Sequence, residues 1–240
     1  NNPETSVLEP YLITANHCIG SQWDASDTEA YWDFRESGCN RRDAGSPTSH
    51  SRSKGKNLLA TSRQLDCTLI MLDSVPNGPY GRLYVGWNTR ELQKGDSVVS
   101  IHHPDASYMR VSYGTVAATN VSALGYSNET RVNWSRGVTE GGSSGCCLLL
   151  KNNNMQLCGT LSGGPDPICG SQNHDYFSSF RSFYPKVEKY LSSGSPTNPP
   201  ANGGGIAQIL SNFITSLLDL LLNELITAIM SFLQSLFGGV

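Results

Sequence analysis

Charge is scarce in this chain. Only 15% of its 240 residues are Asp, Glu, Lys or Arg, and 20 acidic against 17 basic side chains leave a formal net charge of −3 at pH 7. A nucleic-acid footprint needs a concentrated basic patch. Here the densest cluster, Arg41-Arg42 through Lys56, is spread over a Ser- and Gly-rich stretch that reads as a solvated loop. There is no C-x-x-C pair, and no His, Cys and Asp stand at zinc-ligand spacing. His102-His103 does not supply a chelate, because adjacent strand residues point to opposite faces. No metal and no cofactor are therefore expected. An uninterrupted apolar run long enough for a bilayer is also missing. The one extended apolar stretch, 206–237, has Asp219, Asn223 and Glu224 near its middle, where charge is costly, so no transmembrane span is expected.

What is abundant is turn chemistry. The chain has 24 glycines and 12 prolines, and short β-prone runs lie between them. Strands are expected over 7–15, 30–34, 57–62, 67–72, 83–87, 97–102, 110–116 and 130–134, with loop from Cys39 to Lys56. Many short strands with Gly, Pro and Asn punctuation indicate barrels or a sandwich, hence an all-β domain. Seven cysteines without metal spacing read as a disulfide framework in an oxidising, extracellular compartment, with at least one cysteine left over. After residue 145 the run Cys146 to Cys158 reads as a hairpin turning at Asn152-Asn153. That register sets Leu148 opposite Leu157 and Cys147 opposite Cys158; the two cysteines read either as a cross-strand disulfide or as two buried thiols.

Residues 192–205, rich in Ser, Gly, Pro and Asn, are a linker by composition. Beyond it Ile206, Leu210, Phe213, Leu217, Leu221, Leu225, Ile229, Phe232 and Leu236 recur at helical spacing, giving an amphipathic helical tail over 206–240. The tail lacks Lys and Arg, so anionic lipid does not attract it. Self-association or a protein partner through 206–237 is the expectation.

The chemistry concentrates in Gly141-Gly142-Ser143-Ser144-Gly145. A serine flanked by glycines on a tight turn can lift its hydroxyl clear of the backbone, and the glycines free successive N–H groups to point at one spot. Such runs are also ordinary loops. Two further stretches change the reading: Thr14-Ala15-Asn16-His17-Cys18 ends an apolar run in a histidine, and Asp66 opens the buried-looking run Cys67 to Leu72. The order is His, Asp, Ser. His17 would take the Ser144 proton as general base, Asp66 would hold the imidazole, and the N–H groups of Gly142 and Ser144 would bind the oxyanion.

Those motifs in that order resemble the chymotrypsin-like serine endopeptidases. Ile101-His102-His103-Pro104, Gly137 to Gly145, Leu161-Ser162-Gly163-Gly164-Pro165 and Tyr84-Val85-Gly86-Trp87-Asn88 resemble the bacterial lysyl endopeptidases in particular. The resemblance covers about residues 10–185. It implies a secreted protease with a chymotrypsin-like double β-barrel over 1–191 that cleaves after lysine. His17 arrives early for that fold, so the first barrel is expected to be incomplete. Trypsin-like enzymes carry Asp just before the nucleophile and a specificity acid six residues before it; here those positions are Ser143 and Val138. By resemblance the specificity acid falls on Asp175, with Asp166 in reserve, and Ser162, Gly163 and Gly164 form the edge that pairs with substrate backbone. A protease fold without catalysis, used for adhesion or assembly through its tail, is the alternative.

Overall fold

The computed structural model describes residues 8–191 apart from 40, 80, 169, 170 and 172. The linker, the helical tail and Cys169 lie outside the described residues. In chain order the elements are β1 (Tyr11–Thr14), α1 (Gln22–Asp27), β2 (Glu29–Tyr31), β3 (Arg52–Ser62), β4 (Cys67–Leu72), β5 (Ser97–His102), β6 (Arg110–Ala123), β7 (Tyr126–Arg136), β8 (Cys147–Leu150), β9 (Gln156–Gly163), β10 (His174–Phe177) and α2 (Phe180–Val187). The fold is all-β with two short helices. Strands β1-β4-β3-β2 form an open four-stranded sheet, and β10-β7-β6-β5-β8-β9 close into a barrel. One complete barrel beside a partial one is the architecture the resemblance implied.

Alternation builds each layer. In β5 the side chains of Val98 and Ser100 turn inward with His102, while Ile101 faces out. Val98, Val116, Val132, Trp134, Leu148, Leu150, Cys158, Leu161 and Phe177 fill the barrel. A second cluster, with Cys67, Leu69, Leu157, Phe180, Phe183 and Val187, joins the sheet to the barrel beneath α2. A third lies under α1, where Ala25 meets Ile19, Ile70 and Leu72.

Several expectations change. The run 83–87 is no strand; only Trp87 makes a single bridge, to Leu157. The strand expected over 30–34 stops at Tyr31, and Asp33 has a left-handed φ of 59°. The loop ends early, because Arg52 to Lys56 belong to β3 and pair with β2 and β4: tertiary pairing overrides a polar composition. Both helices escaped notice. α1 carries a capping box between Ser21 and Asp24. α2 is eight residues with Pro185 inside, too short and irregular for periodicity to reveal. The long β6–β7 hairpin turns at Leu124-Gly125, both at positive φ, without the Asn-Gly that usually marks such a turn.

The β8–β9 hairpin corrects the cysteine reading. Its turn takes the five residues Lys151–Met155 rather than two. Leu149 faces Leu157, and a bulge then places Cys147 opposite Thr160. Cys158 points into the barrel core, donating to Leu148 O at 3.3 Å, whereas Cys147 packs against the cluster outside it. With their side chains on opposite faces the two cannot bond. Cys18, Cys39, Cys67, Cys146, Cys147 and Cys158 are all free, so no disulfide framework forms among the described cysteines.

Candidate active site

His17 lies in the turn that leaves β1, closed by the Cys18 and Ile19 N–H groups donating to Ala15 O at 3.3 and 3.2 Å. A chain of hydroxyls holds this turn from the sheet side. Asn16 Nδ2 donates to Thr61 Oγ1 at 2.7 Å, the Thr61 and Thr68 hydroxyls meet at 2.6 Å, and Thr68 donates to Ile19 O at 2.9 Å. Thr68 spends its only proton on Ile19, so Thr61 is the donor between the two.

Asp66 ends the turn between β3 and β4. Its φ is 47°, a left-handed conformation that Asp tolerates at some cost, and its residue exposure is 0%. Its carboxylate grips His17 twice: Oδ1 accepts the backbone N–H and Oδ2 meets Nδ1, each at 2.8 Å. With Nδ1–H committed to Asp66, Nε2 is the free basic nitrogen. The Asp66 contact, reinforced by Cys18 and opposed by partial burial, pushes the His17 pKa up to about 10. This site favours the imidazolium, the species a general base becomes when it accepts a proton.

Ser144 lies in the loop between β7 and β8. The loop is pinned by Ser143 N–H to Glu140 O at 3.0 Å, Gly145 N–H to Leu161 O at 2.8 Å and Cys146 N–H to Ser143 O at 3.1 Å. Gly145 touches the end of β1: a Cβ there would stand 2.1 Å from Thr14 Oγ1 and 2.9 Å from Ala15 N. Only glycine permits that approach, and it brings the serine loop beside the strand end that carries His17. Among the described residues Ser144 makes no hydrogen bond to His17, which is common before substrate tightens a site. Unlike those of Ser143 and Gly145, the N–H groups of Gly142 and Ser144 have no hydrogen-bond partner among the described residues. They are free to receive an anion.

Asp175 projects from β10 and is 4% exposed. It accepts hydrogen bonds from the Trp134 ring N–H and from Thr139 Oγ1, the latter at 2.6 Å. Burial pushes its pKa above the usual carboxylate value, against the pull of Thr139, Trp134 and the charge of His174. Directly over it runs Gly164, where a Cβ would stand 2.0 Å from Asp175 Oδ1. Asp166 by contrast is exposed on a loop, and Val138 offers its carbonyl to Ser112. β8 accompanies β9 only to Thr160, and Leu161 bonds Gly145 and Cys146. From Ser162 onward that edge of β9 has no strand beside it among the described residues. Thr139 and Trp134 were not anticipated. Trp134 had only strand alternation to mark it, and nothing marks Thr139 apart from its place in the Gly137–Gly145 run. No group of His, Cys, Asp and Glu among the described residues could hold a metal.

The profile described as "Lysyl endopeptidase, C-terminal domain" matches residues 1–178. The chain belongs to the lysyl endopeptidase family. Every residue named above for the site falls inside the matched span. The lysyl endopeptidase of Pseudomonas aeruginosa is 34% identical over 200 residues, which is 79% of this chain and 42% of that protein. The chain thus spans less than half the length of this curated relative. Among solved structures, a protease of M. tuberculosis in its active form aligns at 12% identity with a TM-score of 0.45, over 60% of this chain and 61% of the other. Its inactive form aligns at 12% identity and 0.48, over 75% and 79%.

Proposed function

We propose that this lysyl endopeptidase-family chain is a serine endopeptidase that cleaves after lysine, with arginine as the lesser alternative. The observation that carries the reading is the two-point grip of Asp66 on His17 at 2.8 Å, which leaves Nε2 free to act as the base. In the reaction Ser144 Oγ attacks the scissile carbonyl as its proton passes to His17 Nε2. The carbonyl oxygen becomes an anion received by the Gly142 and Ser144 N–H groups; loss of one such donor costs about 2.7–4 kcal/mol. His17 then returns the proton to the leaving amine. Water repeats the sequence on the acyl-enzyme.

Specificity in this reading comes from Asp175. Its carboxylate lies under the Ser162-Gly163-Gly164 edge, where a substrate strand laid on that edge would send its side chain down. An ammonium there neutralises a carboxylate that burial disfavours. The protein acts outside the cell on protein or peptide substrates. Among the described residues no helix is long and apolar enough to cross a membrane. The tail over 206–237 associates chains, so a chain ending at Ser193 should scatter light as a smaller species while keeping its activity; equal masses, corrected for length, would exclude that role.

Fluorophosphonate labelling of Ser144 and cleavage of a peptide library test the reading together. Labelling at Ser144, cuts after lysine, and a fall of ~10⁶ in kcat for Ser144→Ala are expected. Undiminished turnover in Ser144→Ala would end the protease reading.

A further inference from the structure

The inner end of β5 holds a histidine that the reaction above does not use. His102 is 2% exposed, and both ring nitrogens are bonded. Nδ1 stands 2.8 Å from Ser143 Oγ, and Nε2 stands 3.0 Å from Ser112 Oγ. The remaining contacts decide where each proton lies. Ser112 donates its one proton to Val138 O at 3.1 Å, so toward His102 its oxygen accepts, and Nε2 carries hydrogen. In a neutral ring Nδ1 is then the acceptor, and it takes the Ser143 O–H. The Ser143 oxygen in turn accepts the Glu140 N–H at 3.3 Å. Every proton is used once, along a line from Ser143 through the ring and Ser112 to Val138 O. Burial, with the nearby His103, pushes the ring pKa down to about 4, so the neutral form this line needs is the resting one.

The target of the line is informative. Ser143 is buried and lies between Gly142 and Ser144, whose N–H groups are both unspent among the described residues. The segment after His102 grips the same loop again, with the Asp105 N–H donating to Gly141 O at 2.7 Å. We propose that His102 is a positioning residue that fixes the peptide groups on both sides of Ser143, and so aims the oxyanion-binding N–H donors of Gly142 and Ser144. It supplies, without charge, a tether at the place where trypsin-like enzymes carry an aspartate. This rests on the serine-protease reading.

Three variants test it: His102→Phe keeps a ring without nitrogens, His102→Gln keeps polar ends, and Ser143→Ala removes the other partner. For each, kcat and KM are measured on a lysine-ended substrate, with the affinity for a lysine-ended peptide aldehyde, whose adduct bears the oxyanion. His102→Phe should lose ~10²-fold or more in kcat, in the range seen for one lost oxyanion donor. Its KM should move only a few-fold, and aldehyde affinity should fall in step with kcat. Ser143→Ala should match it, the double variant should be no worse, and His102→Gln should recover part of the loss. Wild-type kcat in His102→Phe overturns the proposal. So does a Gln variant no better than Phe with kcat falling and KM rising together, since that is what loss of packing gives. Should His102→Phe not fold, the ¹⁵N imidazole spectrum of the wild type at pH 7 decides: a neutral ring protonated at Nε2 supports the line, and any other form sinks it. A wild type that neither labels nor cleaves removes the parent reading and the proposal together, and is seen before any variant is made.

Discussion

The open sheet and the closed barrel build their halves of the cleft by different means. The sheet holds the proposed acid–base pair with side chains: Asn16, Thr61, Thr68 and Asp66 hold the His17 turn through their own oxygens and nitrogens. The barrel presents its half largely through backbone. Gly145 is pinned to Leu161, Gly141 to Asp105, and the Ser162-Gly163 edge is a run of main chain. A base must be held in one tautomer, which takes a specific partner atom. An oxyanion must be met by fixed dipoles, which rigid backbone provides at little reorganisation cost. The sheet half should therefore be sensitive to single side-chain changes that affect all substrates alike. Apart from Ser144 itself, the barrel half should respond either through the loop, as on change of His102, or, at Asp175, for one class of substrate only.

On the sheet side the largest expected effect is Asp66→Asn. It leaves a group of the same size but reverses the hydrogen-bond polarity at Nδ1, which favours the wrong tautomer and lowers kcat on the order of 10⁴-fold. The pH profile separates this from a general loss. The base must be neutral, and Asp66 is the chief cause of the raised His17 pKa. Wild-type kcat/KM should thus climb with pH through an ionisation well above 6.5, while in Asp66→Asn the limb should move to lower pH. The same linkage bears on stability. A raised histidine pKa stabilises the fold fully below 6.5 and loses that contribution as pH rises toward about 10. Melting curves of wild type and variant should converge over that window. A limb that stays in place would detach Asp66 from His17 and remove the contrast between the two halves.

The second is Asp175→Asn, and it tests selectivity on the barrel side. An uncompensated buried ammonium costs about 3–5 kcal/mol, so kcat/KM for lysine substrates should drop by roughly 10²–10⁴-fold, with neutral P1 substrates scarcely changed. Burial raises the Asp175 pKa, and the proposed lysine recognition needs the carboxylate. KM for lysine substrates should therefore rise as pH falls through that raised pKa, and KM for neutral ones should not. A variant with the wild-type cleavage profile would free Asp175 of this role.

The two halves also differ in how far they could be read beforehand. His17 and Asp66 each follow or open an apolar run that reads as a buried strand, so their pairing was legible from order and resemblance together, and Gly141 to Gly145 offered the candidate serine. The elements around them were less so. α2 is held by Phe180, Phe183 and Val187 against the sheet and barrel, a tertiary fact with no local signature. The five-residue turn moves the partners of Leu150 and Leu149 by one residue, the bulge between Leu148 and Leu149 moves those of Leu148 and Cys147 by one more, and nothing in Cys147 to Cys158 encodes either. For that reason the cysteine pairing failed while the strands themselves were found. Asp175 was placed by resemblance. What the sequence could not show is the company it keeps, because Trp134 and Thr139 reach it from another strand and another loop.

The smallest expected effect is on the sheet side and probes the hydroxyl chain itself. Thr68→Val removes one oxygen while keeping shape, at a position that is fully buried. Ile19 O loses its donor, and the Thr61 hydroxyl loses the acceptor it had at 2.6 Å. Unpaired groups of this kind cost about 1–3 kcal/mol each when buried, so a lower melting temperature is expected. The kinetic consequence is more telling. The turn bearing His17 would lose its side-chain tether to β4 while the β1–β4 ladder and the Asp66 grip remain, and a displaced base slows catalysis even when binding is intact; misplacement by about 1 Å can cost 10²-fold. A partial loosening should therefore lower kcat by roughly tenfold, equally for lysine and neutral substrates, with KM unchanged. Asp175→Asn gives the opposite pattern, a loss confined to lysine. If Thr68→Val instead changed the P1 profile, the sheet would be shaping the substrate pocket, and the division between a base held by side chains and a barrel that selects would fail.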